Sequence, residues 1–190
     1  MTPAKLAERK ARAKKIVAYL KKTYPDPKSE LTHETPFQFV ASVILSAQCT
    51  DKAVNRVTDV LWKKYKTPKD FAEANPATFT KEISSIPFFN DKAKAILGAA
   101  RIIEEKFGGK VPKTEAELVE LPGVGYKTAH VILGELHDTW EGIPTDTHVK
   151  RFAKRFDLTD NDDLTKISKD LETLVPKADW KYVNNGLVLY

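Results

Sequence analysis

Apolar residues in this chain recur at three- and four-residue intervals, and no segment alternates like a half-buried strand between hairpin turns. The pattern predicts an all-α protein with many short loops. Residues 4–22 read as a basic amphipathic helix, ended by Tyr24-Pro25-Asp26-Pro27. Thr35-Pro36 opens a second helix, with Thr35 as cap and Pro36 at the first helical position; it runs to about Ala47 and buries Phe37, Val40 and Ile44. Another starts at Asp51 and carries Val54, Val57, Leu61 and Trp62. Thr67-Pro68 and Asn75-Pro76 repeat the signal of a cap followed by proline. Asn90 is the expected cap of a long helix whose stripe is Ala93, Ile96, Leu97, Ala100, Ile103 and Phe107, closed by Gly108-Gly109. Thr114 and Glu117 have capping-box spacing, opening a helix expected to end at Leu121. A turn over 122–125 leads into a helix over 126–136. Asp146 opens a helix to about Phe156, and two more are expected near 162–175 and 178–190.

The 190 residues suffice for one ordinary domain or two small ones. No apolar run approaches the roughly 18–20 residues of a membrane span, and the first 22 residues lack the apolar core of a signal peptide. An intracellular protein is expected. Cys49 is the single cysteine, which excludes an intrachain disulfide and a cysteine metal site. The formal charge is +5, but residues 1–22 carry eight lysines and arginines against Glu8 alone, a net +7 that leaves −2 for the rest. The basicity therefore belongs to one helix, which is either a solvated face or a nucleic-acid contact.

The candidate chemistry gathers at Leu121-Pro122-Gly123-Val124-Gly125-Tyr126-Lys127-Thr128 and at Thr145-Asp146-Thr147-His148. Glycines before a helix let another backbone approach, and the helix start presents unpaired N–H groups and a positive dipole end, which suit a phosphate. Lys127 falls in that first helical turn. There the helix field, together with burial, favours the unprotonated amine that Schiff-base chemistry needs. Asp146 stands 19 residues later, one helix out and a loop back, at a helix start where an aspartate also serves as a plain cap. After it, Lys150 with Lys154 and Arg151 with Arg155 share helix faces that can track phosphates beside His148. Asp157, Asp160, Asp162 and Asp163 lie close enough to neutralise them.

Four segments in order carry a resemblance: Leu45-Ser46-Ala47-Gln48-Cys49-Thr50-Asp51, Ile86-Pro87-Phe88-Phe89-Asn90-Asp91-Lys92-Ala93, Leu121 to Ala129, and Asp146-Thr147-His148. The chain resembles the endonuclease III family of helix-hairpin-helix DNA glycosylases with lyase activity at abasic sites, over nearly its whole length. The resemblance implies two helical domains with a cleft between them: residues 29–142, with the hairpin at about 113–136, and residues 1–28 plus 143–190. It implies a base-excision enzyme that removes oxidised pyrimidines from duplex DNA and cleaves the strand by β-elimination. Lys127 takes the place of the family's nucleophile and Asp146 that of its catalytic carboxylate. Gln48 and Phe88 fall on the loops that fill the gap left by the extruded nucleotide. Leu121, Gly123, Val124, Gly125, Thr128, His148, Lys150 and Arg151 fall on DNA-binding positions. The implied partner is damaged or abasic double-stranded DNA, bound by a monomer in a prokaryotic cytoplasm, near the nucleoid.

Within the wider superfamily, Gln48 stands where mismatch adenine glycosylases have a catalytic glutamate. Tyr126 precedes, rather than replaces, the lysine that a thymine-mismatch enzyme exchanges for tyrosine. Two positions and one missing loop depart from the family pattern. Phe88 stands for a leucine and Thr145 for a valine. The family's four-cysteine loop for an iron–sulfur cluster is missing after Leu187-Val188-Leu189-Tyr190, so no cluster is expected. That apolar ending reads either as a truncation or as a lineage that replaced the cluster by packing its N-terminal helix. Two other functions stay open at this level: a noncatalytic helix-hairpin-helix module, and an inactive helical scaffold for a partner. Neither has a use for the Lys127 and Asp146 pair.

Overall fold

The computed structural model describes residues 2–189, with side-chain surroundings through Gly186. The expectation placed on the Leu187–Tyr190 side chains lies outside the described residues. In chain order the helices are α1 (Pro3–Thr23), α2 (Pro36–Ser46), α3 (Asp51–Leu61), α4 (Pro68–Ala72), α5 (Pro76–Glu82), α6 (Phe89–Phe107), α7 (Glu115–Leu118), α8 (Tyr126–His137), α9 (Thr147–Arg155), α10 (Leu164–Leu174) and α11 (Trp180–Leu189), the last preceded by a 3₁₀ turn at Lys177–Asp179. No strand occurs among the described residues. None of these helices is long and apolar enough to cross a membrane.

The caps explain most starts. Thr35, Thr50, Thr67, Asn75, Thr114, Asp146 and Asp163 each accept a backbone N–H from the first turn of the helix they precede. Two expectations fail. Asn90 is not the cap of α6; the helix starts earlier, and Phe88 precedes it in the left-handed region at φ 57°. The helix opened by Thr114 stops at Leu118 rather than Leu121, and Thr114 Oγ1 donates to the Glu117 carboxylate instead of leaving it for the cap's N–H. The chain then turns through Glu120 and Leu121 toward the hairpin.

The chain divides into two compact units, a continuous one at Glu30–His137 and a split one formed by Met1–Ser29 with Asp138–Tyr190. The continuous unit is built on the apolar α2 and α6. Phe37, Phe71 and Phe79 meet edge-on, joined by Trp62 and Tyr65. The buried Gln38 side chain is satisfied: it accepts from Glu34 N and Thr35 N and donates to Tyr65 O. Burial and the bond to the Glu82 carboxylate push the Tyr65 phenol up to about 12.

In the split unit α1 packs on α10 and α11, and α9 packs on the same two helices. Its core includes Leu20, Trp140, Ile143, Val149, Ala153, Ile167 and Leu171. The basic helix α1 is not simply a solvated face. Arg9 is 0% exposed and donates to Asp157 O, Asp157 Oδ1 and Asp160 Oδ1 at 2.8–3.1 Å. Arg12 adds a 2.7 Å bond to Asp157 and Lys5 a 2.8 Å bond to Asp160. Three of the eight N-terminal cations thus staple the turn after α9.

Candidate active site

In the continuous unit the candidate residues sit on three loops. The first is the hairpin between α7 and α8. Leu121 is only 1% exposed and Val124 is also buried, so both anchor the turn in the core. Their side chains are thus withdrawn from solvent, in keeping with a reading in which the hairpin meets a phosphate through its backbone N–H groups. Val124 N–H closes the turn on Leu121 O at 3.0 Å, and the first helical bond of α8 runs from Ala129 N–H to Gly125 O. The amides of Tyr126, Lys127 and Thr128 precede that bond, as they do at any helix start.

The two glycines are needed for different reasons. Gly123 has φ 80°, and a Cβ there would lie 2.9 Å from Ala95 Cβ and 3.4 Å from Ile44. Only glycine fits. At Gly125 a Cβ would meet nothing within 4 Å. Its surface is open, as a site for an approaching phosphate requires.

Lys127 is exposed in the first turn of α8, which corrects the expectation of burial, and Thr128 is half-buried behind it. One turn further on, His130 Nε2 pairs with the Glu115 carboxylate from α7. Tyr126, at the first position of α8, is 68% exposed.

The second and third loops carry Gln48 and Phe88. Both are exposed, and both adopt the left-handed backbone, at φ 55° and 57°. Phe88 is 61% exposed, which removes core packing as its role. Non-glycine residues in this region are uncommon, and they concentrate at functional sites. Phe89, its neighbour, packs against the core instead. Lys92, four residues after Phe88, is only 6% exposed, and Nζ donates to Leu45 O at 2.8 Å and Ala47 O at 2.6 Å. Burial lowers its pKa. Sequence reasoning missed Lys92; it occupies the buried stripe of α6, four residues before Ile96.

In the split unit Asp146 caps α9. One oxygen, Oδ1, accepts from His148 N and Val149 N, both at 2.9 Å, and the residue is half-buried. Thr145 before it is buried and donates to Ile143 O at 3.0 Å. His148 is exposed, with Nδ1 3.2 Å from an Arg151 nitrogen. Lys150 Nζ donates to Asp162 O at 2.7 Å, and Lys154 Nζ lies 3.2 Å from the Asp162 carboxylate. This part of the α9 face is therefore partly neutralised, and Arg151 and Arg155 are its exposed cations.

In the continuous unit an exposed first-turn lysine follows a glycine turn and two left-handed loops present Gln48 and Phe88; in the split unit a carboxylate caps a basic helix. Residues 41–177 match the HhH-GPD superfamily of base excision DNA repair proteins, and the chain belongs to that superfamily. Within it the chain is similar to endonuclease III of Synechocystis sp., 43% identical over 177 residues, covering 93% of this chain and 81% of that one. It is 40% identical over 168 residues to endonuclease III of Bacillus subtilis, covering 88% and 76%. The fold superposes on the structure of a trapped endonuclease III–DNA covalent intermediate with a TM-score of 0.87 at 34% identity, covering 95% of this chain and 84% of that one.

Proposed function

We infer that the protein is a bifunctional DNA glycosylase and abasic-site lyase of base excision repair, acting on oxidised pyrimidines in duplex DNA. Lys127 carries this reading: an exposed amine just after the hairpin, in a chain similar to an enzyme that forms a covalent intermediate with DNA. The lesion must first leave the stack, and Phe88 and Gln48 fill the space it vacates. The neutral Lys127 amine attacks the sugar C1′, and the damaged base leaves with the bond electrons and takes up a proton. Asp146 stabilises the positive charge that develops on the sugar, as carboxylates do in glycosidases. The amine nitrogen loses a proton and the C1′–O4′ bond breaks, O4′ taking up a proton, which opens the sugar ring and gives the Schiff base; this acidifies the C2′ proton, whose loss expels the 3′ phosphate, and water then releases the amine.

The hairpin amides and open Gly125 hold a backbone phosphate without reading sequence. A noncatalytic hairpin module gives the Lys127 amine no work. Within these 190 residues the single thiol, Cys49, packs against the core of the continuous unit, and no step of this reading draws on a metal cluster. The enzyme works as a monomer in a prokaryotic cytoplasm, where its DNA is. Borohydride is expected to trap a covalent complex with abasic duplex DNA, and Lys127→Ala to abolish it. Undiminished trapping by that variant overturns the assignment.

A further inference from the structure

Lys92 is placed where a lysine is unfavourable. It lies in the first turn of α6, at the positive end of the helix, and it is removed from water. Its contacts account for it. α2 ends at Ser46, leaving carbonyls without helical partners, and the chain departs through Ala47 at φ −55° and ψ 117°, outside the helical region. Lys92 Nζ donates to Leu45 O in the last turn of α2 and to Ala47 O, the carbonyl immediately before Gln48. At its other end, Lys92 N–H donates to Phe88 O at 3.1 Å. One residue therefore binds the backbone beside Gln48 with its side chain and the backbone of Phe88 with its amide. Both held residues are in the left-handed region, which persists only where the surroundings impose it.

We propose that Lys92 is a positioning residue that locks the Gln48 loop to the Phe88 loop, so that both side chains enter the DNA stack as one preformed element. This rests on the reading that Gln48 and Phe88 occupy the space left by the extruded nucleotide. Without the lock, each loop must be ordered during extrusion, and the cost falls on substrates whose lesion is paired. Lys92→Met keeps most of the length and removes the donors; Lys92→Gln keeps a donor group, an NH₂ with two N–H bonds, and shortens the reach.

Single-turnover base release is measured on one lesion, paired in a duplex and in a single strand. Both variants are expected to lose tenfold or more on the duplex and less than twofold on the single strand, with Lys92→Gln the milder. Ile103→Val, in the core of the same unit, controls for lost stability and is expected to show no duplex-selective loss. Equal losses on both substrates, or a duplex-selective loss in the core variant, overturn the proposal. If Lys92→Met does not fold, Lys92→Gln is decided by the same two ratios. If neither folds, Lys92 is a structural residue and the proposal fails. Phe88→Ala separates the two readings. A duplex-selective loss there, without one at Lys92, rejects the lock alone; no such loss at Phe88 rejects the extrusion reading beneath it.

Discussion

Asp146 does two things with one carboxylate. Its Oδ1 caps α9 through two backbone N–H groups, a contact typically worth about 1 kcal/mol. Its charge is what the proposed reaction draws on. Asp146→Asn keeps an acceptor oxygen for the cap and removes the charge, so the melting temperature is expected to hold. Base release is expected to fall about ten- to a hundredfold, or about 1.4–2.7 kcal/mol of barrier. A normal single-turnover rate in the Asn variant would falsify the catalytic role. Gln48 presents the reverse case, a residue whose backbone is strained. The left-handed conformation costs a non-glycine residue on the order of 1–2 kcal/mol. Gln48→Gly relieves that strain and deletes the side chain. Calorimetry is expected to show equal or higher stability, and a duplex assay a slower excision. A fall in stability with unchanged excision means that Gln48 serves the fold and not the DNA.

At the scale of elements, the hairpin from α7 to α8 shows how one motif contains two kinds of glycine. Gly123→Ala meets both a left-handed backbone and the Ala95 methyl at 2.9 Å. Overpacking of this kind usually costs about 1–3 kcal/mol before the strain is counted. The variant is expected to unfold at clearly lower denaturant. Gly125→Ala meets no neighbour, and its stability is expected to match that of the parent protein. Its affinity for abasic duplex DNA is expected to drop, because the new methyl occupies the face that a phosphate must approach. Titration of both variants with labelled DNA checks the pair; equal affinity at Gly125→Ala removes the phosphate site from that face. The start of α6 is a second lesson at this scale. Asn90 has the side chain of a cap, yet Phe88 holds the capping position with no side-chain bond, because the loop that presents its ring imposes the entry geometry.

At the scale of the molecule, the split unit is closed by charge as well as by apolar packing. The Arg9 hydrogen bond, and then that of Lys5, hold the Asp160 carboxyl down to about 2; Arg9, with Arg12 and Lys5, also holds that of Asp157 below its usual range. A carboxyl whose folded pKa lies below its unfolded value of roughly 3.9 stabilises the fold at all pH above the unfolded value. That contribution is lost as pH falls toward about 2. Thermal melts are therefore expected to decline between about pH 4 and pH 2. Asp160→Asn is expected to melt lower at neutral pH and to show a shallower decline in acid. An unchanged acid profile in that variant assigns the acid sensitivity to other carboxylates. The pairing also changes how the charge of the molecule is counted, since Lys5, Arg9 and Arg12 are engaged internally.

The helices of this protein, most of their starts and the hairpin were legible in the sequence because each depends on neighbours within about four positions. A threonine before a proline, or an aspartate before Thr147, carries its own local reason. The all-α class and the family followed from the same short segments. The two uses of glycine in one hairpin were not legible, because the atoms that exclude a Cβ at Gly123 belong to Ile44 and Ala95. Lys92 looked like any charged residue until its partner carbonyl was found 47 positions away, and Arg9 until its partner was found 148 positions away. Composition counted both as surface charge; burial made one a tie between loops and the other a staple. The physical reason is the same throughout: helix geometry is set by contacts near in sequence, whereas desolvation and the partner that offsets it are settled only when distant segments pack.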